Sequence, residues 1–91
     1  MTYYRVHSYQ NYAFDRGIGT DVLVKEEGAV LPKREQFLEN GNLVVNDFFS
    51  TYEEARAHFM NIYNSYRDNR APSIDVKMHD EVTGEEFSYS G

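Results

Sequence analysis

The segment that most constrains the fold is residues 50–66, where apolar side chains recur at the spacing of an α-helix. The opposite side of this segment is polar, so only one face of the helix needs to be buried. The stripe that meets the 3.6-residue period consists of Tyr52, Ala55, Phe59, Ile62, Tyr63 and Tyr66. The spacing predicts one amphipathic helix packed on another layer of the protein.

Two residues could cap this helix, because each has a glutamate three positions further on. Ser50 precedes Glu53, and Thr51 precedes Glu54, which are two versions of the S/T-x-x-E capping box. Either choice places acidic side chains beside the positive end of the helix dipole. The sequence therefore predicts a helix from Ser50 to Tyr66 and leaves the cap open between Ser50 and Thr51.

The residues after the helix alternate between apolar and polar side chains, as in a strand with one buried face. Ile74, Val76 and Met78 begin the alternation, and Phe87 and Tyr89 resume it. The residues between them have an aspartate at the head of the turn and a glycine where a positive φ is needed. The pattern predicts a hairpin from Ile74 to Tyr89 with a bulged loop.

The first half of the chain predicts three strands, over residues 3–9, 22–24 and 43–49. Residues 11–20 contain Gly17 and Gly19 and are expected to form a loop. Residues 32–40 are ambiguous, since they fit a short helix closed by Gly41 or the first arm of a hairpin through Asn40-Gly41. The short helix is narrowly favoured.

These elements predict an α+β fold in one domain spanning residues 1–91. The expected architecture is a small, mainly antiparallel sheet of four or five strands with the main helix on one face. The side chains expected in the core are Tyr4, Val6, Val22, Val24, Leu43, Val45, Phe48, Ala55, Phe59, Ile62, Tyr63, Val76, Met78 and Phe87.

The composition excludes several classes of function. The chain has no cysteine, which rules out disulfides, thiolate metal sites and thiol nucleophiles. No apolar run is long enough to span a bilayer, and the first residues lack the apolar core of a secretory signal. We therefore expect a cytoplasmic protein without membrane contact; the alternative is a mature secreted chain that needs no disulfide.

The formal net charge is −6, and its distribution is uneven. Residues 74–91 carry five acids and one base, so four of the six net negative charges lie in this short segment. Residues 1–73 are nearly balanced. A nucleic-acid binder needs a cationic surface, and the sequence has neither a basic stripe nor a basic tail. Direct binding of DNA or RNA is not expected.

No residues in the sequence have the arrangement of a metal site or a catalytic site. His7, His58 and His79 lack metal-ligand spacing, although strand pairing could bring His7 and His79 together; zinc binding there is disfavoured. His58 is expected to be solvated on the polar side of the helix. The Gly17–Thr20 fragment looks like part of a phosphate loop but is better explained as a turn. The sequence thus predicts no catalytic residue, no cofactor and no metal.

The eight tyrosines exceed what the core pattern requires, so several are expected at the surface, where tyrosine favours protein contacts. Together with the acidic hairpin they predict binding to a basic surface of a partner protein, in the manner of a nucleic-acid mimic. The residues expected to bind are Asp75, Asp80, Glu81, Glu85, Glu86, Tyr89, Tyr9 and Tyr12.

In size and charge the chain is similar to the small acidic phage proteins that block CRISPR or restriction enzymes, although no motif carries that likeness. This similarity implies an inhibitor or adaptor acting in a host cytoplasm. The alternative is a structural or accessory subunit that self-associates as a homodimer through its aromatic surface, with the acidic segment serving solubility.

Overall fold

The fold is taken from a computed structural model, which describes residues 1–13, 16–29, 32–68 and 74–90. The side chains of residues 12, 13, 16 and 74 lie outside this description. The elements in chain order are β1 (Thr2–Ala13), β2 (Arg16–Glu27), β3 (Arg34–Glu39), β4 (Asn42–Phe49), α1 (Tyr52–Asp68), β5 (Ile74–Asp80) and β6 (Glu85–Ser90).

The strands form one sheet in the order β3-β4-β1-β2-β5-β6. All neighbouring strands are antiparallel except β2 and β5, which are parallel. Helix α1 connects β4 to β5 and covers one face of the sheet. The predicted α+β class, with one helix on a mainly antiparallel sheet, is confirmed, but the sheet has six strands rather than four or five. No helix among the described residues is long and apolar enough to cross a membrane.

The expected loop over residues 11–20 is wrong, because β1 and β2 are both twelve residues long and pair as far as Ala13 and Arg16. The Gly17–Thr20 fragment is accordingly extended strand and not a turn. A Cβ on Gly19 would lie 3.3 Å from Cγ2 of Val76. The absence of a side chain at Gly19 thus leaves room for Val76 of the neighbouring strand. In the sequence alone, a glycine with this role looks the same as a glycine in a turn.

The short helix predicted for residues 32–40 is also wrong, and the hairpin alternative is the one observed. Asn40 and Gly41 both have positive φ, at 52° and 81°, as a two-residue type I′ turn requires. The turn pairs Glu39 with Asn42 and places β3 at the edge of the sheet. The hairpin-forming turn therefore prevails over the helical propensity of the preceding residues.

The core lies between α1 and the centre of the sheet. Its fully buried members are Val6, Leu23, Ala55, Phe59, Val76 and Met78. Of the predicted core, Val6, Ala55, Phe59, Val76 and Met78 are confirmed as buried, and Tyr4, Ile62, Tyr63 and Phe87 pack against them while partly exposed.

The remaining predicted core residues were assigned to the wrong face or are incompletely covered. Leu23 pairs with Val6 on the helix side, so Val22 and Val24 lie half-buried on the opposite face. A run of three apolar residues does not show which of the alternating side chains lie on the helix side of the strand.

The same uncertainty affects β4, where Val44 is buried on the face away from α1. Phe48 lies on that face too and stacks edge-on against Tyr3, with centroids 5.8 Å apart. Leu43 and Val45 do lie on the helix side, yet they are only half-buried, because α1 covers β4 incompletely.

Thr51, and not Ser50, caps α1. The hydroxyl Oγ1 of Thr51 accepts a hydrogen bond from the Glu54 backbone N–H at 3.3 Å and donates one to Glu54 Oε1 at 3.0 Å. The first turn is closed by the bond from Ala55 N to Thr51 O at 3.2 Å.

Replacing Thr51 with alanine should lower the free energy of unfolding by about 0.5–2 kcal/mol, because an N–H of the first turn loses its acceptor. A urea melt measures this change. Ser50→Ala is the matched control and should have a smaller effect. An equal loss from both substitutions would contradict the assignment of the cap.

Candidate partner-binding surface

Asp80 ends β5, and its side chain is fully buried. Its Oδ2 accepts hydrogen bonds from the Tyr52 hydroxyl at 2.6 Å and from Arg56 Nη1 at 2.5 Å. Its Oδ1 accepts bonds from the backbone N–H groups of Val82 and Thr83, at 2.9 and 3.3 Å. Asp80, which was expected among the partner-binding residues, is therefore not available at the surface: its carboxylate holds the turn and joins it to α1.

The surroundings of Asp80 keep it ionised. Burial acts to raise the pKa of this carboxyl, but the hydrogen bonds from Tyr52, Arg56 and the two backbone amides outweigh it. The pKa of Asp80 is consequently lowered from its ordinary value.

Arg56 links the same carboxylate to β6. Its Nη2 lies 3.1 Å from Glu85 Oε1, and its guanidinium lies over the rings of Phe59 and Phe87, at 5.8 and 5.4 Å from their centroids. Glu85 is thus partly committed to an internal ion pair, although half of its side chain remains exposed.

The fold gathers acidic residues from separate parts of the sequence at one end of the sheet. Because β2 and β5 are parallel, their carboxyl ends point the same way, and the Glu81 N–H bonds to Leu23 O at 2.9 Å. Helix α1 starts at this end as well, since Tyr52 in its first turn reaches Asp80. We call this surface the acidic end; its glutamates are Glu26, Glu27, Glu53, Glu54, Glu81, Glu85 and Glu86.

Most of these glutamates have no cation beside them in the described part of the chain. Glu26 pairs with Arg5 at 2.5 Å, and Glu85 pairs with Arg56. Among the described residues, no other glutamate of the acidic end lies within 4.0 Å of a basic group. All except Glu26 are exposed. The result is a surface of net negative charge that reaches well beyond the predicted hairpin.

The predicted binding residues are only partly brought together. Glu81, Glu85 and Glu86 lie at the acidic end, whereas Asp75 is at the other end of β5 and accepts a 2.7 Å hydrogen bond from Ser90 Oγ. Tyr89 packs against the core on the helix side.

The other predicted tyrosines do not extend the acidic end either. Tyr9 is half-buried on the opposite face, beside Val44. Tyr12 lies in β1, but its side chain is outside the described part of the structure. The aromatic pair Tyr3 and Phe48 is closer to the acidic end, since Tyr3 pairs with Glu26 across β1 and β2.

A cavity of about 570 Å³ adjoins the acidic end, where the start of β1, the β3–β4 edge and α1 meet. Three polar side chains on its wall are linked. Asp47 accepts hydrogen bonds from Arg34 at 2.7 and 3.3 Å and contacts His58 Nε2 at 2.9 Å through Oδ2. No sequence pattern predicts this cluster, because its members lie on three different elements.

The position of His58 corrects the expectation that it is merely solvated. Its ring packs on Phe49, with centroids 5.2 Å apart, and it is less than one-third exposed. The pairing with Asp47 orients the imidazole as in a general-base dyad. The contact between His58 and Asp47 joins α1 to β4, and the pair of Arg34 with Asp47 joins β4 to β3.

The described residues contain no group of three or more histidines and acids that could hold a metal ion. His7 and His79 both pair with Val22, on its two sides. They are therefore two strand spacings apart, about 10 Å, and His7 Nδ1 lies 2.8 Å from Asn46 Oδ1.

No protein-family model, curated protein or solved structure matches the chain.

Proposed function

We propose that the protein is a non-catalytic binding module, an inhibitor or adaptor, whose acidic end docks on a basic surface of a partner protein. The observation that carries this proposal is the convergence of exposed glutamates from β2, α1 and the β5–β6 hairpin on one end of the sheet. Clustered like charge carries a cost of self-repulsion, and folding alone does not require it.

The physical consequence of such a surface is long-range attraction. A field of one sign steers a complementary partner during diffusion and raises the association rate, an effect that weakens as salt increases. A basic groove that normally holds nucleic acid is the partner surface that best fits this end, because clustered carboxylates can occupy the positions of phosphates. Under this proposal the protein acts as small acidic phage inhibitors do, in a host cytoplasm.

Burial and internal ion pairs make some acidic residues of this surface better suited to binding than others. Asp80 is excluded because it is buried, and Glu26 and Glu85 are partly satisfied by Arg5 and Arg56. Glu27 and Glu81 are exposed and without an ion pair in the described structure. They come from strand ends far apart in sequence, so a requirement for both would point to the assembled surface.

We expect Glu27→Lys and Glu81→Lys each to weaken partner capture by about three- to tenfold, mostly through slower association. The measurement is capture from a lysate by the immobilised chain, followed by binding kinetics with the retained protein at several salt concentrations. Both substitutions should also flatten the salt dependence.

The matched control is Asp68→Lys, which makes the same change of charge at the end of α1, about 25 Å from the helix start. It should change capture less than twofold, within the scatter expected for remote surface charge. If all three variants bind equally well, the acidic end is a solubility feature, and the accessory-subunit alternative replaces this proposal.

A further inference from the structure

Strand β3 is an exposed edge of the sheet. All six of its residues are exposed, including Phe37 at 42% and Leu38 at 72%. Edge strands offer unpaired N–H and C=O groups to other strands, and proteins usually block them with proline, bulges or inward-pointing charge. Residues 34–39 contain no proline and pair with β4 without a bulge. The edge is therefore open to pairing.

The direction of each backbone group in β3 follows from the pairing with β4. The carbonyl of Lys33 accepts a hydrogen bond from Phe48 N at 2.9 Å, so the backbone N–H and C=O groups of Lys33 point toward β4. Backbone groups alternate in direction along a strand. The N–H and C=O groups of Arg34, Gln36 and Leu38 consequently point away from the sheet.

We propose that β3 pairs antiparallel with β3 of a second copy of the chain, with Gln36 opposite Gln36. This register matches Arg34 of each copy with Leu38 of the other, so every outward backbone group of the strand finds a partner. The two sheets become one, and both α1 helices lie on the same side. This inference goes beyond the proposed function and does not depend on it.

Charge selects this register. It places Lys33 of one copy directly opposite Glu39 of the other, twice by symmetry, at non-hydrogen-bonded positions where side chains approach closely. On the same face, Phe37 and its symmetry mate become diagonal neighbours, about 7 Å apart and within reach of aromatic contact.

The neighbouring symmetric register centred on Phe37 is disfavoured. It sets Glu35 against Glu39 of the second copy, twice, and opposite like charges destabilise a strand pair. It also pairs Arg34 with Asn40, which belongs to the turn and has a φ of 52°.

The register centred on Glu35 is also disfavoured. It places that carboxylate against its own symmetry mate. It further sets Leu38 against Pro32, which has no N–H to donate.

The antiparallel arrangement keeps the two acidic ends apart. The start of β3 lies at the acidic end, since Lys33 bonds to Phe48 at the end of β4. In the dimer the two strand starts point in opposite directions, so the repelling surfaces lie at opposite extremes and both remain accessible. The dimer is thus compatible with the charge distribution of each copy.

The test is sedimentation velocity between about 10 µM and 1 mM, a range suited to a weak edge-strand contact. The parent chain should pass from 10.6 kDa to twice that mass as concentration rises. Lys33→Glu and Glu39→Lys should each raise the dimer Kd by about tenfold or more, because both symmetric pairs become repulsive. The double variant, which restores opposite charge, should return to within about threefold of the parent.

A backbone variant gives an independent test. Gln36→Pro removes an outward N–H without removing a bond to β4 and should abolish dimerisation, whereas Gln36→Thr keeps the N–H and should preserve it. Circular dichroism checks that each variant is folded. A parent chain that stays monomeric at the highest concentration, or charge variants that dimerise like the parent, would overturn the proposal.

Discussion

Replacing Asp80 with alanine is expected to reduce the free energy of unfolding by about 2–4 kcal/mol. The substitution removes the acceptor for Tyr52, for Arg56 and for the two backbone amides of the turn. Arg56 is less than one-quarter exposed, and its guanidinium would be left with the ion pair to half-exposed Glu85 and its contacts with the Phe59 and Phe87 rings. A loss of this size could unfold so small a domain at physiological temperature.

The measurement is a chemical-denaturation curve at neutral pH. The adjacent acid Glu81 provides the control, because it is exposed and Glu81→Ala should change stability by no more than about 0.5 kcal/mol. Asp80→Asn keeps the shape but loses the charge, and it should lie between the two. An Asp80→Ala variant as stable as Glu81→Ala would refute the role of Asp80 as the link between turn and helix.

The lowered pKa of Asp80 also predicts how the stability of the protein changes with pH. A carboxyl whose pKa is lower in the folded than in the unfolded chain stabilises above its unfolded pKa, and this stability is lost as pH falls through the folded value. The parent chain should therefore lose stability at acid pH through Asp80, and Asp80→Ala should lack that part of the loss. Charge reversal at Asp80 would disturb the fold, so this substitution is not suited to a binding experiment.

Features of the fold that depend on neighbouring residues were predictable from the sequence. The apolar stripe gave α1 within two residues at each end, and the glutamate three positions after Thr51 gave one of the two possible caps. The hairpin of β5 and β6 followed from alternation and from Gly84, whose φ is 81°.

Features that depend on contacts distant in sequence were not predictable. Asp80 at the head of a turn looks exposed, and only the folded chain brings Tyr52 and Arg56 to it, 28 and 24 residues away. The acidic end likewise requires the parallel pairing of β2 with β5.

Face assignment failed for a simpler reason. The Val22–Val24 run is apolar throughout, so alternation could not tell which side of β2 faces the helix. The pairing of Leu23 with Val6 settles the question in the structure.

Asp21 is a second buried carboxylate, and its situation is the reverse of that of Asp80. It lies on the helix side of β2, is 1% exposed and pairs across the sheet with Ser8 and Met78. Neither carboxylate oxygen has a hydrogen bond of acceptable geometry to the described residues. A charge in this position is costly, because the described residues replace only a small part of the hydration that it has lost.

Burial raises the pKa of Asp21 from 3.8 to about 6, and the Ser8 hydroxyl with the charges of His7 and His58 offsets this only in part. Because the pKa is higher in the folded chain, stability from Asp21 is fully present below 3.8 and is lost as pH rises through 6. The rise corresponds to about 3 kcal/mol between the two limits.

Asp21→Asn should therefore be more stable than the parent chain above pH 6, by up to about 3 kcal/mol, and should lose this advantage near pH 4. The unpartnered amide reduces the gain, since it too is buried without hydrogen bonds. Asp21→Val, which suits both a strand and the adjacent core, removes that cost and should show the larger gain at neutral pH.

The measurement is a set of urea melts of the parent and both variants from pH 4 to 8. The other titratable groups are common to all three proteins, so the difference between parent and variant reports mainly on Asp21. Asp80 acts at lower pH and does not interfere, because its pKa is shifted down. If the difference stays constant across the range, the pKa of Asp21 is not raised in the folded chain, and its carboxyl does not lie in a dry site. A parent chain more stable than both variants at pH 8 would mean that the ionised carboxylate is stabilised in the folded protein.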